Sequence, residues 1–473
     1  MKIVGRQREK DILRICLESN RPEFVAVYGR RRVGKTYLIR EYFNKQFSFY
    51  STGSRAQNTA GQLRAFHDSL VEYGDPCKDV PKDWFEAFSR LRSLLSKENV
   101  IRDPVSNRRV VFLDELPWMD TAKSDFKSAL DFFWNSWGSA QEDLMLIVCG
   151  SATSWMIHNL VKDTRGFHNR LTRRIRLMPF TLKECEELME YNGILLPRPQ
   201  LMECYMTFGG IPYYMNLFDS RLSLAQNIEE LCFKDYGELR DEYNELFRSL
   251  YKNPKKHIKI IETLCGTKAG QSRKELSENP SIGGGAGLTK ALDELEQCGF
   301  IRSYTNYKAS KTGQWYQVID PFILFSLRFI NGRQCASWSG YINTPGYNAW
   351  RGNAFEILCL NHIAQLKNAL GIPGVETREY AWKSSSSSPG VQIDLIIDRN
   401  DGLIHLCEVK YTNAAFEMDR DEYEKMAQRL SVFQQETLCK KSIHLTLISA
   451  NGMKMNKYSS VFQNIITGDN LFT

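Results

Sequence analysis

The sequence predicts an α/β protein built on a doubly wound parallel sheet. Stretches with helical spacing, such as residues 36–44 and 84–97, alternate with short apolar runs of strand length. Strands that alternate with helices favour parallel pairing, and continuous apolar runs are typical of strands buried on both faces. The apolar runs are residues 24–28, 47–50, 110–113, 144–149 and 175–178.

Composition places the chain among intracellular globular proteins. Its 473 residues are 42% hydrophobic and 25% charged, with a net charge of +7, so we expect several domains and no obligatory acidic partner. The twelve cysteines stand singly, without CxxC pairs, which argues against a zinc ribbon or a disulfide framework. The N-terminus lacks a signal-peptide pattern, and no apolar run is long enough to span a bilayer, so we expect a soluble, cytoplasmic protein without a membrane partner.

A glycine-rich phosphate-binding motif follows the first predicted strand and begins a predicted helix. Glycines at such a position let backbone N–H groups surround a phosphate, and the helix N-terminus adds favourable dipole charge. Lys35 is expected to reach the β- and γ-phosphates of ATP, and Thr36 to bind Mg²⁺. The predicted nucleotide-binding residues are Gly29, Arg30, Arg31, Arg32, Val33, Gly34, Lys35, Thr36 and Tyr37.

Paired acids end the apolar run at 110–113, where ligands bind in open α/β sheets. We expect Asp114 to hold Mg²⁺ and contact the nucleotide, and Glu115 to polarise the attacking water, with Lys35 as the other catalytic residue of this site. The alternative is a surface turn with exposed acids. Together with the phosphate-binding motif, the acids predict hydrolysis of ATP and not binding alone.

Hydroxyl and arginine side chains complete the predicted nucleotide site. Ser151 and Thr153 follow the strand at 144–149, where a side chain can sense the γ-phosphate, although Ser and Thr also cap helices. The basic segment 169–176 contains arginines that could stabilise transition-state charge in cis or in trans. A solvated face or a nucleic-acid contact is the alternative for that segment.

The middle of the chain predicts a helical region over 181–250 and a winged helix-turn-helix over 251–333. Leu288 to Cys298 would be the second helix of the motif, with Phe300–Tyr304 and Trp315–Ile319 as the wing hairpin. Such a unit binds DNA, or alternatively packs against its neighbours without touching DNA. We therefore expect DNA as a partner, with this alternative open.

The last region carries a D…ExK pattern. Asp394 is expected to end a strand, and Glu408 and Lys410 lie on a strand predicted to pair with this segment. Glu408 and Lys410 share a face because they are two residues apart. Asp394 and Glu408 would bind a divalent metal, and Lys410 would activate water or stabilise phosphorane charge. Glu356, on a preceding helix predicted over residues 354–370, would be a further member. Exposed strand charges are the alternative interpretation.

The whole chain resembles a prokaryotic family of archaeal-type P-loop ATPases, AAA-like and related to STAND ATPases, with a C-terminal restriction-endonuclease-like domain. The motifs that carry the resemblance are GRRRVGKT, FLDELPWMD, CGSATSWM, NRLTRRIRLMPF, GGIPYYM, DPFILFSLRFI, GNAFEILCLNHI and ID…EVKY. The resemblance implies a PD-(D/E)xK-type end, and here Ile393 and not proline precedes Asp394.

The predicted organisation is therefore an ATPase core over 1–180, a helical lid over 181–250, a winged helix over 251–333 and a nuclease-like domain over 334–473. One function that fits is an ATPase, capable of forming homo-oligomers, that drives DNA binding and metal-dependent cleavage. The other is a nucleotide-switched regulator that binds DNA or a partner without cutting.

Overall fold

The computed structural model describes residues 2–55, 57–151, 153–161, 170–251, 253–308, 313–332, 337–384 and 390–473. The chain divides into compact units at Met1–Pro179 and Phe180–Thr473. Among the described residues we find no helix with the length and apolar character needed to cross a bilayer.

The first unit contains a parallel sheet with strand order β2-β3-β4-β1-β5. Its strands are β1 (Glu23–Tyr28), β2 (Phe49–Thr52), β3 (Arg109–Asp114), β4 (Leu144–Gly150) and β5 (Arg173–Arg176). Its helices are α1 (Gln7–Glu18), α2 (Lys35–Tyr42), α3 (Thr59–Glu72), α4 (Trp84–Leu95), α5 (Leu116–Met119), α6 (Phe126–Ser136) and α7 (Thr153–Met156). The predicted α/β class with a parallel sheet is confirmed.

The central strands are buried along their whole length, as their apolar runs predict. Every residue of β1, β3 and β4 is buried, and aromatic and aliphatic side chains of α3, α4 and α6 share a core with them. The strands at the sheet edges were predicted less accurately. β2 begins two residues later than predicted and extends to Thr52, which pairs with Asp114. β5 consists largely of arginines, and only Ile175 is buried within it. The predicted strand at 175–178 was therefore placed two residues too late, on the apolar residues that follow β5.

The second unit begins with helices and continues with a small antiparallel sheet of order β6-β8-β7. The helices of the first stretch are α8 (Leu182–Tyr191), α9 (Arg198–Phe208), α10 (Pro212–Met215), α11 (Leu224–Ile228) and α12 (Glu242–Leu250). The next elements are α13 (Lys255–Cys265), β6 (Gln271–Ser272), α14 (Arg273–Glu278), α15 (Gly285–Gln297), β7 (Ile301–Thr305), β8 (Gln314–Val318) and α16 (Pro321–Phe325). Helix α15 thus starts three residues before the predicted Leu288, and the predicted hairpin is present as β7 and β8.

The C-terminal part of this unit contains a mixed sheet of order β15-β13-β11-β10-β9. Antiparallel pairing joins β9, β10 and β11, and parallel pairing joins β11, β13 and β15. The elements are α17 (Pro345–Asn361), α18 (Ile363–Ala369), β9 (Thr377–Lys383), β10 (Gln392–Arg399), β11 (Leu403–Lys410), β12 (Phe416–Glu417), α19 (Arg420–Thr437), β13 (Ser442–Ser449), β14 (Met453–Lys454) and β15 (Asn464–Thr467).

Two local predictions in this region were wrong. The predicted continuous helix beginning near Ala354 is interrupted at His362, whose Nε2 accepts a hydrogen bond from the backbone N–H of Leu182 at 3.0 Å. That acceptor role leaves Nδ1 to donate to the Leu358 carbonyl at 2.8 Å. Asp394 was expected to end a strand but lies near the start of β10, because the apolar residues after it continue the same strand.

Candidate functional site

The predicted phosphate-binding loop connects β1 to α2. Gly29 has φ +152°, and a Cβ there would lie 2.2 Å from the Leu177 carbonyl oxygen, so only glycine fits. Gly34 has φ +89° and directly precedes α2. Lys35 is only 4% exposed, and its Nζ donates to the carbonyls of Gly29 at 3.0 Å and Arg30 at 2.9 Å. The ammonium is therefore held over the loop.

Other predicted loop residues differ in their surroundings. Arg30 and Val33 are buried, whereas Tyr37 is largely exposed and its hydroxyl lies 3.4 Å from the Lys2 carbonyl. Arg31 is partly buried, and Arg32 has a left-handed backbone with φ +70°. Burial therefore varies along the motif, from buried Arg30 and Val33 to exposed Tyr37 in α2.

Arg6 is a buried residue that sequence reasoning missed. Its guanidinium donates to the Val33 carbonyl at 3.0 Å and to the Met178 carbonyl at 2.7 Å. It thereby holds the phosphate-binding loop against the segment after β5. No motif marks this position, because its role depends on contacts with residues distant in sequence.

The acids at the end of β3 meet the start of α2. The Thr36 hydroxyl donates to Asp114 Oδ2 at 2.8 Å, and the backbone N–H of Glu115 donates to Asp114 Oδ1 at 2.9 Å. Asp114 is only 3% exposed. Burial raises the pKa of its carboxyl group, and the hydrogen bond from Thr36 opposes that rise. The structure thus brings both predicted Mg²⁺ ligands of this unit together.

Glu115 is held by the end of the neighbouring strand. The Ser151 hydroxyl donates to Glu115 Oε1 at 2.6 Å, and the Ser151 N–H donates to Oε2 at 3.2 Å. Glu115 itself has φ +46°, a left-handed conformation that non-glycine residues adopt at an energetic cost. Thr153 is buried, and its hydroxyl is directed at the Ser151 carbonyl at 3.5 Å. Ser151 therefore contacts the predicted catalytic acid directly.

The arginine-rich segment lies partly in β5. Asn169 is outside the described residues, and Arg170 forms an ion pair with Asp131. The register pairs Arg176 with Tyr28, the residue before the phosphate-binding loop. Arg176 is exposed, and it ends β5 at the edge of the sheet where β1 enters the loop.

The predicted C-terminal site lies where β10 and β11 pair. Leu395 is opposite Cys407, which puts Asp394 opposite Glu408 on the same face of the sheet. The Glu408 carboxylate accepts from Arg429 at 2.6 Å and lies 3.1 Å from Lys410 Nζ. Lys410 also contacts Glu422 at 3.0 Å. Glu408 is therefore already paired with cations of its own unit.

Glu356 and Asp394 share a different cation. Lys268 Nζ is 2.6 Å from Glu356 Oε1 and 3.3 Å from Asp394 Oδ2, and Gln392 donates to the other oxygen of Asp394. Burial, and then the charge of Asp394, raise the pKa of Glu356 to about 8, although Lys268 acts in the opposite direction. Lys268 is the second residue that sequence reasoning missed, since a single lysine in a loop carries no signal.

Glu356, Asp394 and Glu408 are not arranged around a single cation position. Within the described part of the chain, no group of three or more His, Cys, Asp or Glu side chains is arranged to hold a metal ion. Asp394 and Glu356 converge on one ammonium and Glu408 on another pair of cations. The carboxylate oxygens are the ligands that hard divalent cations prefer.

The family comparison covers the first unit and the beginning of the second. Residues 3–218 match the model of a family described as an ATPase domain predominantly from Archaea. The chain therefore contains an ATPase domain and is an ATP-hydrolysing enzyme.

Individual proteins are similar to the chain over most of its length. An uncharacterized protein of Methanocaldococcus jannaschii is 25% identical over 435 residues, which cover 88% of this chain and 89% of that protein. The Walker-type ATPase of Pyrococcus abyssi has a TM-score of 0.48 at 17% identity and covers 69% of this chain and 96% of its own. The ORC2 protein of Aeropyrum pernix has a TM-score of 0.44 at 14% identity, with coverage of 76% and 95%.

Proposed function

We propose that this protein is a Mg²⁺-dependent ATPase whose turnover of ATP controls DNA binding and metal-dependent DNA cleavage by its second unit. The main support for a Mg²⁺–ATP site is the hydrogen bond of 2.8 Å between the Thr36 hydroxyl and the buried Asp114 carboxylate, next to Lys35. A hydroxyl at the start of the helix after a phosphate-binding loop and a carboxylate at the end of a strand of the same sheet are the oxygen ligands that a nucleotide-bound Mg²⁺ takes.

Each residue of the nucleotide site has a distinct proposed role. Thr36 and Asp114 hold Mg²⁺, which neutralises phosphate charge when it is bound. Lys35 leaves the carbonyls of its own loop to pair with the β- and γ-phosphates. Glu115 orients and polarises the attacking water, and Ser151 holds the Glu115 carboxylate in place. The loop from Gly29 to Gly34 supplies backbone N–H donors.

The proposed DNA contact is on the helical side of the middle region. Arg273, Lys274 and Lys290 are exposed on α14 and α15, and the Arg273 guanidinium donates to Thr289 at 2.9 Å on α15. These cations support contact with a phosphate backbone. The hairpin offers less support, because Tyr307, which follows β7, is buried in the C-terminal core. We therefore propose a winged-helix region that binds DNA through its helices.

Cleavage is proposed for the end of the β10–β11 pair. Asp394 and Glu408 would hold a divalent cation, and Lys410 would stabilise negative charge on the phosphate. The support is the placement of the acids on facing positions of paired strands, with Glu356 of α17 close enough that Asp394 raises its pKa. A cation already lies between Glu356 and Asp394 in the form of the Lys268 ammonium, which shows that the pair accepts positive charge.

A second function is favoured by the pairing of Glu408. Its carboxylate is neutralised by Arg429 at 2.6 Å and Lys410 at 3.1 Å, so it resembles a structural ion-pair network. In this alternative, ATP turnover switches DNA or partner binding and the C-terminal region does not cut. A homo-oligomer would fit either function, since an arginine of β5 could then act on a neighbouring subunit's nucleotide.

ATP hydrolysis and plasmid nicking, measured side by side, test both functions. We would compare wild type, Lys35→Ala and Glu408→Ala, with Glu417→Ala as the control for loss of an exposed, paired glutamate. The proposed function requires that Lys35→Ala abolish hydrolysis and that Glu408→Ala abolish nicking while sparing hydrolysis. Normal hydrolysis by Lys35→Ala would refute the nucleotide site. If wild type leaves the plasmid intact in the presence of Mg²⁺ or Mn²⁺, the cleavage proposal is refuted and the non-cleaving regulator is the function that is retained.

A further inference from the structure

Lys268 comes from outside the sheet that carries the acids it contacts. It lies between α13 and β6, in the small antiparallel part of the second unit, whereas Glu356 is on α17 and Asp394 on β10. Its Nζ is 2.6 Å from Glu356 Oε1 and 3.3 Å from Asp394 Oδ2. The ammonium therefore joins the middle region to the proposed metal site.

The backbone around Lys268 is pinned to the β7–β8 hairpin. Its carbonyl accepts from Gln317 Nε2 at 2.9 Å, and Gln317 in turn accepts from Arg302 at 2.9 Å. The Tyr304 hydroxyl donates to the neighbouring Ala269 carbonyl. At Gly270, φ is +73° and a Cβ would lie 1.9 Å from the Tyr316 carbonyl oxygen. The position of Lys268 thus follows the position of the hairpin.

We infer that the Lys268 ammonium occupies the cation position between Glu356 and Asp394, and that a divalent cation binds there only after Lys268 has been displaced. The proposed function assigns the metal to Asp394 and Glu408, and the cation position described here lies between Asp394 and Glu356. This inference therefore rests on the metal site of the proposed function through the shared Asp394. An ammonium group has donors and no lone pair, so it cannot join a metal's ligands and can only compete with the metal. Each positive charge would also repel the other across a few ångströms in a partly buried site.

Space for the displaced side chain exists next to the site. Lys268 also lines a cavity of about 560 Å³, together with Glu262, Gln317 and Asn353. The Asn353 Oδ1 atom is buried and has no hydrogen-bond partner among the described residues. An amide oxygen and the Glu262 carboxylate can accept from an ammonium. Lys268 can therefore leave the acids without unfolding the loop that carries it.

The proposed metal position is therefore blocked by Lys268, and the position of Lys268 depends on the middle region of the chain. Movement of the hairpin would carry the Lys268 backbone with it through the Gln317 contact. The helices proposed to bind DNA belong to the same small core as this hairpin. If binding of DNA to those helices moves the hairpin, it also exposes the metal position, and such a linkage would be reciprocal.

A Mn²⁺-binding titration tests the inference without measuring activity. Bound Mn²⁺ is detected as a decrease in the electron paramagnetic resonance signal of the free ion. Lys268→Met removes the charge and keeps the apolar stem, Lys268→Arg keeps the charge, and Lys255→Met is the control for an exposed lysine of the same region. The Asp394→Asn exchange, alone and combined with Lys268→Met, identifies the ions bound at this site and separates them from ions at the nucleotide site.

We expect Lys268→Met to tighten Asp394-dependent Mn²⁺ binding by about tenfold or more, because a competing charge has been removed. Lys268→Arg and Lys255→Met should bind as wild type does. Near-ultraviolet circular dichroism reports whether Lys268→Met has kept its fold, and Lys268→Gln replaces it if not.

The possible failures are distinguishable. If wild type binds an Asp394-dependent ion as tightly as Lys268→Met, or if Lys268→Met binds it more weakly, Lys268 does not compete with the metal and the metal site stands. If neither protein binds an Asp394-dependent ion, the metal site of the proposed function falls together with this inference. The nucleotide site is untouched by either result.

Discussion

The hydrogen bond from Ser151 to Glu115 leads to a quantitative prediction for ATP turnover. Ser151→Ala removes the donor at 2.6 Å and keeps the backbone N–H at 3.2 Å, so Glu115 loses one of its anchors. A hydrogen bond to a charged group contributes about 1.5–3 kcal/mol. At about 1.36 kcal/mol per factor of ten in rate, kcat should fall roughly 10- to 150-fold.

Steady-state hydrolysis of ATP measures this effect. The KM for ATP should stay near the wild-type value, because Ser151 acts on the water-polarising acid and not on the bound nucleotide. Ser151→Thr keeps the hydroxyl and should recover most of the rate, and Ser89→Ala, an exposed serine on α4, should change nothing. A wild-type kcat in Ser151→Ala would refute the positioning role. A raised kcat would show that the hydrogen bond restrains Glu115.

Three further predictions concern Glu115, the phosphate-binding loop at Gly29 and the buried His362 of the second unit. Glu115→Gln should lower kcat by about 10²- to 10⁴-fold while retaining binding of a fluorescent ATP analogue, and unimpaired turnover would contradict its role. Gly29→Ala should weaken nucleotide binding and lower the melting temperature, because its Cβ would clash with Leu177, whereas Gly74→Ala, with φ +94° and open space, tests backbone strain alone. Burial lowers the pKa of His362 from 6.5 to about 4, so the unfolded chain takes up this proton first and stability is lost as pH falls from 6.5 towards 4. At about 1.36 kcal/mol per pKa unit, the free energy of unfolding should fall by roughly 3 kcal/mol over this pH range. Urea unfolding should show this fall for wild type and not for His362→Asn, and parallel pH profiles of the two proteins would contradict the prediction.

The proximity of the proposed nucleotide-site residues to one another was largely predictable, because they lie in one contiguous motif or directly follow buried strands. Gly29 to Thr36 form one contiguous motif, and Asp114 and Glu115 come at the end of an apolar strand, so their expected places at the carboxyl ends of parallel strands bring them to the same edge of the sheet. The sequence also indicated Ser151 at the adjacent strand end. It did not indicate that Ser151 bonds Glu115, because that contact depends on the left-handed backbone of Glu115.

Long-range contacts account for what sequence reasoning missed. Arg6 stabilises the phosphate-binding loop from the N-terminal segment, and Lys268 reaches Glu356 and Asp394 from another part of the second unit. The break of the long helix at His362 likewise depends on the N–H of Leu182. Neither composition nor periodicity carries information about partners that distant.

The sequence alone thus determined the parallel α/β sheet, the phosphate-binding loop and its acids, since apolar runs and a contiguous motif depend on neighbours in the chain. Only the tertiary structure decided which cations neutralise the C-terminal acids, namely Lys268 for Glu356 and Asp394, and Arg429 and Lys410 for Glu408. The physical reason is that a carboxylate pairs with whichever charge folding brings within a few ångströms, and strand register and loop packing, not sequence spacing, set that distance.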